Sequence, residues 1–202
     1  MDLSETSLKK ASLRIDAQGI DTVYFHRADC TRLPYADHHF DHVFVCFMLE
    51  HLAQPGDVLA ELRRVLQPGG RAAFLVCGPR EANAVIDVVN RVVTELFEFR
   101  DSDRDIDPFR FSAQGSLAQE MRRAGYLDVV EGDVTLHQRA PVGTRFWQAS
   151  LERGLSLTLE QLPDGIRNEI AERMTEAFEP WRQGEYYELP SLSRITSGRS
   201  PE

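Results

Sequence analysis

From Glu5 onward the apolar residues Leu8, Ala11 and Ile15 recur at helical spacing, behind Ser4, a good N-cap, and ahead of Gly19, a natural helix stop. The run Thr22–Arg27, TVYFHR, is rich in β-formers and predicts a strand ending near Asp29. After the turn TRLPYADHH comes HVFVCF, apolar without alternation, as expected of a strand covered on both faces in a parallel sheet. Leu59, Leu62, Val65 and Leu66 then make one helical stripe, LQPGGR stops it, and RAAFLV reads as a second buried strand. Strand, helix, glycine turn and strand together form a βαβ unit.

Farther on, Val85, Val88, Val89, Val92, Val93, Leu96 and Phe97 predict an amphipathic helix over residues 82–97, placed to cover a sheet or a pocket. RDSDRDIDPFR reads as a charged loop. SAQGSLAQEMRRAG reads as a helix capped by Ser112 and stopped by Gly125, followed by the strand YLDVVEGDVTLHQ. Residues 146–178 predict helix broken near Pro163. The tail GEYYELPSLSRITSGRSPE carries β-formers around a proline and is expected to fray at its polar end.

Composition changes this picture mainly by exclusion. The chain has 202 residues, 42% of them hydrophobic and 27% charged, ordinary for one folded domain. No stretch approaches the roughly 20 apolar residues of a membrane span, and no signal-peptide layout opens the chain, so a cytoplasmic location is expected. The net charge of −9 with no basic cluster argues against nucleic acid. Cys30, Cys46 and Cys77 are isolated and odd in number, with no zinc-binding spacing, and read as free thiols.

Several residues invite chemistry, and each has a plainer reading. Asp29 suits an Asx turn, and His51 a histidine at a helix start. His38, His39 and His42 straddle a turn and a strand start, so they need not converge, and no metal site is expected. Asp101, Asp103, Asp105 and Asp107 resemble the start of a calcium loop, but Ile106 and Ser112 stand where that loop needs glycine and glutamate.

Taken together, MDLSETSLKKA, FHRADCTRLPYADHHFDHVFVCFMLEHL and LAELRRVLQPGGRAAF resemble the class I S-adenosylmethionine (SAM)-dependent methyltransferases, specifically their small-molecule branch. The likeness is dense over residues 1–78, and SLAQEMRRAGYLDVVEGDVTL and GEYYELPSLSRITSGR are similar to that family's later helix, strand and final strand. The resemblance implies an α/β Rossmann-like sheet with helices on both faces, in the order 3-2-1-4-5-7-6 with the seventh strand antiparallel. It divides one domain, 1–202, into a cofactor-side core (1–78), a lid helix with a later helix and strand (79–145), and a helical insertion with the final strand (146–202).

The resemblance also assigns roles. Asp2 matches the acid that accepts from the ribose hydroxyls, and Leu3 would pack on the adenine. Asp29 matches the acceptor of the adenine amino group, with the backbone of Cys30 beside it. Cys46 and Phe47 match the position next to the methionine portion and its sulfonium, and Glu50 or His51 would look into the substrate side. Such a reaction needs proximity, alignment and a dry cleft, with one base such as His51 where the acceptor must lose a proton.

The family's first strand, glycine-rich loop, first helix and second strand would all precede Asp2. The sheet is therefore expected without strands 1 and 2, as in a truncated chain, and SAM binding is expected to be weak. HVFVCF would then be an exposed edge unless TVYFHR pairs beside it, or unless a second copy or a partner chain completes the sheet. The leading readings are SAM-dependent methyl transfer to a small molecule and a degenerate methyltransferase fold acting as a non-catalytic binding or partner subunit, ahead of a fold redirected to cofactor-free chemistry in the cleft under the valine-rich helix.

Overall fold

The computed structural model describes residues 1–97, 107–155 and 158–202. Its first element, helix α1 (Glu5–Ala17), begins as its sequence predicts: the Ser4 side chain accepts from Ser7 N at 3.2 Å, and Asp2 Oδ1 accepts from Ser4 N at 2.8 Å. Yet no residue of α1 is buried. Its weak apolar stripe has little to pack against.

The TVYFHR segment does not form the predicted strand. A β-rich run becomes a strand only beside a partner, and this one has a single parallel bridge, Asp2 to Arg27. Tyr24 is 81% exposed. Nor does TVYFHR pair with the HVFVCF strand.

That strand, β1 (Phe40–Cys46), lies parallel to β2 (Leu66–Cys77), and helix α2 (Pro55–Val65) connects them, so the βαβ unit stands. The Pro-Gly-Gly segment behaves differently from the expected helix stop. Leu66 already pairs with Phe40, and the ladder resumes only at His42 and Arg71, so Pro68–Gly70 is an irregularity inside β2, with Gly69 at φ +75°.

Helix α3 (Ala84–Phe97) follows, then α4 (Ser116–Arg123). The expected cap of α4, Ser112, lies outside it. Gly115 occupies the N-cap in a left-handed conformation, and its N–H donates to Glu131 Oε1 at 2.7 Å. Strand β3 (Leu127–Pro141) leads to α5 (Gln148–Leu155) and α6 (Asp164–Phe178), with the break near Pro163 as predicted. A short strand β4 (Arg182–Gln183) pairs with the final β5 (Tyr186–Arg199).

The sheet runs β1-β2-β5-β3, with β5 antiparallel to both neighbours. This is the 4-5-7-6 portion of the order implied by the resemblance, and β1 is its edge among the described residues. The chain end does not fray as expected: Ser200 N donates to Gly70 O at 2.8 Å and Ser200 is buried. Pro190 is accommodated because β5 pairs with β2 only over Ser193–Arg199, so there it faces β3 alone.

Two apolar clusters flank the sheet. Val58, Leu59, Leu62 and Val65 of α2, with Leu117 and Met121 of α4, pack on Ala72, Phe74 and Val76 of β2. Phe74 pairs with Thr196, so this is the even-numbered face of β5. Tyr187 and Leu189, of opposite parity, join the second cluster with Val88, Val92 and Val93 of α3, and Ile170, Met174 and Phe178 of α6. Helices thus cover both faces, as the resemblance implies. At the β1 edge that second face is bare, and Phe44 is 63% exposed.

Arg64 fixes the loop before β1. Its guanidinium donates to Glu61, Asp37, Tyr35 O and Leu33 O, while Glu61 Oε1 accepts from Leu33 N at 2.7 Å. Hydrogen bonds to Glu61 and Asp37, with their charges behind them, hold Arg64 firmly protonated, and the bond to Arg64 holds Glu61 below the usual carboxylate range.

Candidate functional site

Two cavities open at the carboxyl ends of β1 and β2, and Phe47 and His51 line both. Strand β1 ends at Cys46, Phe47 turns the chain with φ +48°, and a single 3₁₀ turn, Leu49–His51, carries the next side chains past the strand ends. Phe47 N donates to Leu75 O at 2.8 Å, which ties this turn to β2. A left-handed aromatic residue at the meeting point of two cavities is a position of backbone strain.

The first cavity, about 390 Å³, gathers most of the residues proposed from sequence for cofactor binding: Asp2, Leu3, Cys30, Cys46 and Phe47 line it together with His51. Asp29 is not among the lining residues. Its Oδ1 accepts from Thr31 N at 2.9 Å and from Thr31 Oγ1 at 2.8 Å, the Asx turn of the plainer reading, and those bonds hold its carboxyl below the usual range. The Asp2 carboxylate is partly engaged as well, through Ser4 N. An adenosine group fits this lining: Asp2 offers an acceptor for hydroxyls, and Leu3, Val43, Val45 and Phe47 offer apolar walls. No glycine-rich run of backbone N–H groups lines it among the described residues, so a methionyl carboxylate would lack the usual cradle.

The second cavity, about 480 Å³, lies between the 3₁₀ turn, the end of β2 and helix α3. Ile86 and Val89 of α3 enter its wall, whereas Val88, Val92 and Val93 are core, so the valine stripe serves both purposes. Asn83, just before α3, is anchored on three sides: Nδ2 donates to Pro79 O at 2.9 Å and Leu192 O at 3.0 Å, and Oδ1 accepts from Ser191 Oγ at 3.2 Å. Cys77 ends β2 here, and burial pushes its thiol up to about 11, with a further push from the charge of Glu50.

Glu50 is the unusual member. It is 2% exposed, and neither carboxylate oxygen has a hydrogen-bond partner. Burial pushes its carboxyl up, partly countered by the backbone N–H groups of Glu50 itself and Cys77, which face it without reaching hydrogen-bond geometry. Sequence reasoning brought Glu50 and His51 to the substrate side but missed Asn83, Cys77 and Ser191. Asn83 and Ser191 are 108 positions apart, and only the fold joins them.

The other candidates do not form a site. His38 Nδ1 lies 3.0 Å from Leu66 O, and His39 stacks on Tyr35. Asp101, Asp103, Asp105 and Ile106 lie outside the described residues. Asp107 Oδ1 accepts from Phe109 N at 2.9 Å. Among the described residues no three His, Cys, Asp or Glu side chains are grouped to hold a metal ion, and no helix is long and apolar enough to cross a membrane.

Comparison with known proteins bears on the fold. Residues 1–74 match a family model described as a methyltransferase domain. The ubiquinone/menaquinone biosynthesis C-methyltransferase UbiE of Cupriavidus necator is 32% identical over 153 residues, covering 67% of this chain and 61% of that protein. The chain spans 35% to 61% of the length of three such UbiE relatives it matches. Among solved structures, the YcgJ protein of Bacillus subtilis superposes with a TM-score of 0.57 at 16% identity, covering 99% of this chain and 80% of that one. Phosphoethanolamine N-methyltransferase 2 of Haemonchus contortus, in complex with S-adenosyl-L-methionine, gives 0.51 at 12% identity, covering 99% of this chain and 42% of that one. At such identities the structural likeness is one of fold. Sheet order, the family match over residues 1–74 and the solved structures agree: the chain has a class I methyltransferase fold, and residues 1–74 match the methyltransferase domain.

Proposed function

We propose that this chain transfers a methyl group from SAM to a small-molecule acceptor, with the first cavity taking the cofactor and the second the acceptor. The observation that carries this reading is the junction at Phe47 and His51, which puts two ligand-sized cavities in contact at the strand ends. Asp2, Leu3, Cys30, Cys46 and Phe47 would hold the cofactor, which brings a methyl group already activated on a sulfonium. Asp29, in its Asx turn, would contribute by shaping the chain beside Cys30. His51 stands where a base is useful, at the boundary between donor and acceptor, and would take a proton from an acceptor that must lose one. Ile86, Val89 and Pro108 would keep water from the acceptor.

The supporting comparison is the family match, together with relatives named as C-methyltransferases. A cytoplasmic location suits such an enzyme. The test is a thermal shift of the 202-residue chain with S-adenosylhomocysteine, repeated with Asp2→Asn. Stabilisation in the wild type that shrinks in the variant is expected. An unmoved melting temperature at millimolar ligand rules out the cofactor site.

A second reading has its own observation: β1 has a bare outer edge with Phe44 exposed, and α1 buries nothing. It makes the chain a non-catalytic subunit whose sheet is completed by a second copy or a partner chain. This reading expects a chain that ignores S-adenosylhomocysteine and is larger than 23.0 kDa in solution.

A further inference from the structure

We propose that the cavity under α3 admits a small molecule bearing a protonated amine on an apolar body, and that Glu50 is the counter-ion that receives it. The proposal deepens the methyltransferase reading by naming a class of acceptor, and rests on it only for calling this the acceptor cavity.

Glu50 is the unsatisfied group in this cavity. Its carboxylate is buried, both oxygens are without partners, and it lines a cavity of about 480 Å³. A buried unpaired carboxyl is costly, and side chains in that position are normally bonded within the protein. Among the described residues neither oxygen of Glu50 finds a hydrogen-bond donor. The amide of Asn83 is committed to Pro79, Leu192 and Ser191. Among the described residues no cation lines the cavity, and Arg80, just past the end of β2, lies over the Phe109 ring at 4.6 Å. The other titratable lining groups are His51, which opens toward the first cavity, and the buried thiol of Cys77.

The number of orphan acceptors selects the ligand. Two oxygens need two converging donors, which a protonated primary or secondary amine carries and a single hydroxyl does not. Folding has already taken Glu50 out of water, so pairing adds no new desolvation cost on the protein's side. Phe47, Ile86, Val89 and Pro108 supply contact for an apolar body. The net charge of −9 draws cations toward the protein and repels anions.

The test compares three probes of one shape, 2-phenylethylamine, 2-phenylethanol and ethylbenzene, by ligand-observed NMR titration of the full chain at pH 7.5 and fixed salt. The amine is expected to bind at least about tenfold tighter than the alcohol, and Glu50→Gln to bring the two together. Equal affinity for amine and alcohol, or an unchanged amine affinity in Glu50→Gln, overturns the proposal. Where the variant does not fold, wild-type titrations replace it. Amine binding must then weaken on acidification while alcohol binding stays level, and parallel curves overturn the proposal.

S-Adenosylhomocysteine also carries an amino group, so its thermal shift is measured in both proteins. If Glu50→Gln lowers that shift and leaves the amine probe unaffected, Glu50 serves the cofactor and the proposal falls. A preserved amine preference without any response to S-adenosylhomocysteine overturns the methyltransferase reading and leaves the amine site standing.

Discussion

Glu50 and Cys77 share one wall of the cavity under α3, and the negative charge of the first raises the proton affinity of the second. Both are pushed in the same direction by burial, and that has a consequence for stability. Burial holds the Glu50 carboxyl above its ordinary value of 4.5 in the folded chain, whereas unfolding returns it to that value. Between the two values the folded state binds more protons than the unfolded one, so stability falls as pH rises through this window and then levels off. Glu50→Gln removes the titration. The variant should melt close to the wild type at pH 4 and above it at pH 8. A gain of about 1 kcal/mol, the scale for an unpaired desolvated group, corresponds to about 2–4 °C for a chain this size. Melting curves at the two pH values check it; a gap that is the same at both sinks the linkage.

The three thiols should separate by reactivity. Cys46 is exposed and lines the first cavity, Cys30 is half-buried, and Cys77 is buried with its thiol pushed up to about 11. At pH 8 a thiol of that kind is ionised in roughly one molecule per thousand. Timed iodoacetamide labelling followed by peptide mass spectrometry should find Cys46 modified first and Cys77 last. S-Adenosylhomocysteine should slow labelling at Cys46 without affecting Cys77. Equal rates at Cys46 and Cys77 would contradict the burial of the β2 end.

Elements with a strong period were legible in the chain itself: the α2 stripe, the valine helix and the strands HVFVCF and RAAFLV form where their apolar spacing puts them, but HVFVCF, expected to be covered on both faces, lies at the edge of the sheet with one face bare. The misses have a common physical source, in that they depend on partners distant in sequence. TVYFHR has strand composition but one bridging neighbour, and composition cannot report a missing neighbour. Ser112 is a fine cap by type, yet Gly115 takes the position because Glu131, on β3, accepts from its N–H. The tail was expected to fray because it is polar; Gly70 O captures Ser200 N. Of the site, Asp2, Leu3, Cys30, Cys46 and Phe47, which the resemblance assigned to the cofactor, line one cavity without Asp29, while nothing local marks Glu50 as unpartnered.

The approach of β2 to β5 below the second cavity leaves no space for a side chain at Gly78. A Cβ there would lie 2.1 Å from Leu192 Cδ2 and 3.0 Å from Leu192 O, the oxygen that accepts from Gly78 N at 2.9 Å and from Asn83 Nδ2. Gly78→Ala should therefore push β5 away and loosen the Asn83 anchor, costing about 1–3 kcal/mol as overpacking does. Leu192→Ala clears the side-chain part of that clash. The double variant should be more stable than the sum of the two single effects implies, and simple additivity in denaturant unfolding would show that the clash is not between these residues.

Phe47 separates strain from function. Its φ of +48° is a left-handed conformation that costs a residue with a Cβ about 1 kcal/mol relative to glycine, and its ring lines both cavities. Phe47→Ala and Phe47→Gly both delete the ring, but only glycine relaxes the backbone. The glycine variant should be the more stable of the pair by about 1 kcal/mol, the reverse of the order seen where φ is negative. Both should lose S-adenosylhomocysteine affinity to a similar extent, since the apolar wall is gone from each. Urea unfolding ranks the stabilities and calorimetric titration ranks the affinities. An alanine variant as stable as the glycine one would mean that the turn after β1 relaxes without its aromatic residue. In that case Leu75 O, which accepts from Phe47 N, would still tie the turn to β2 at the junction of the two cavities.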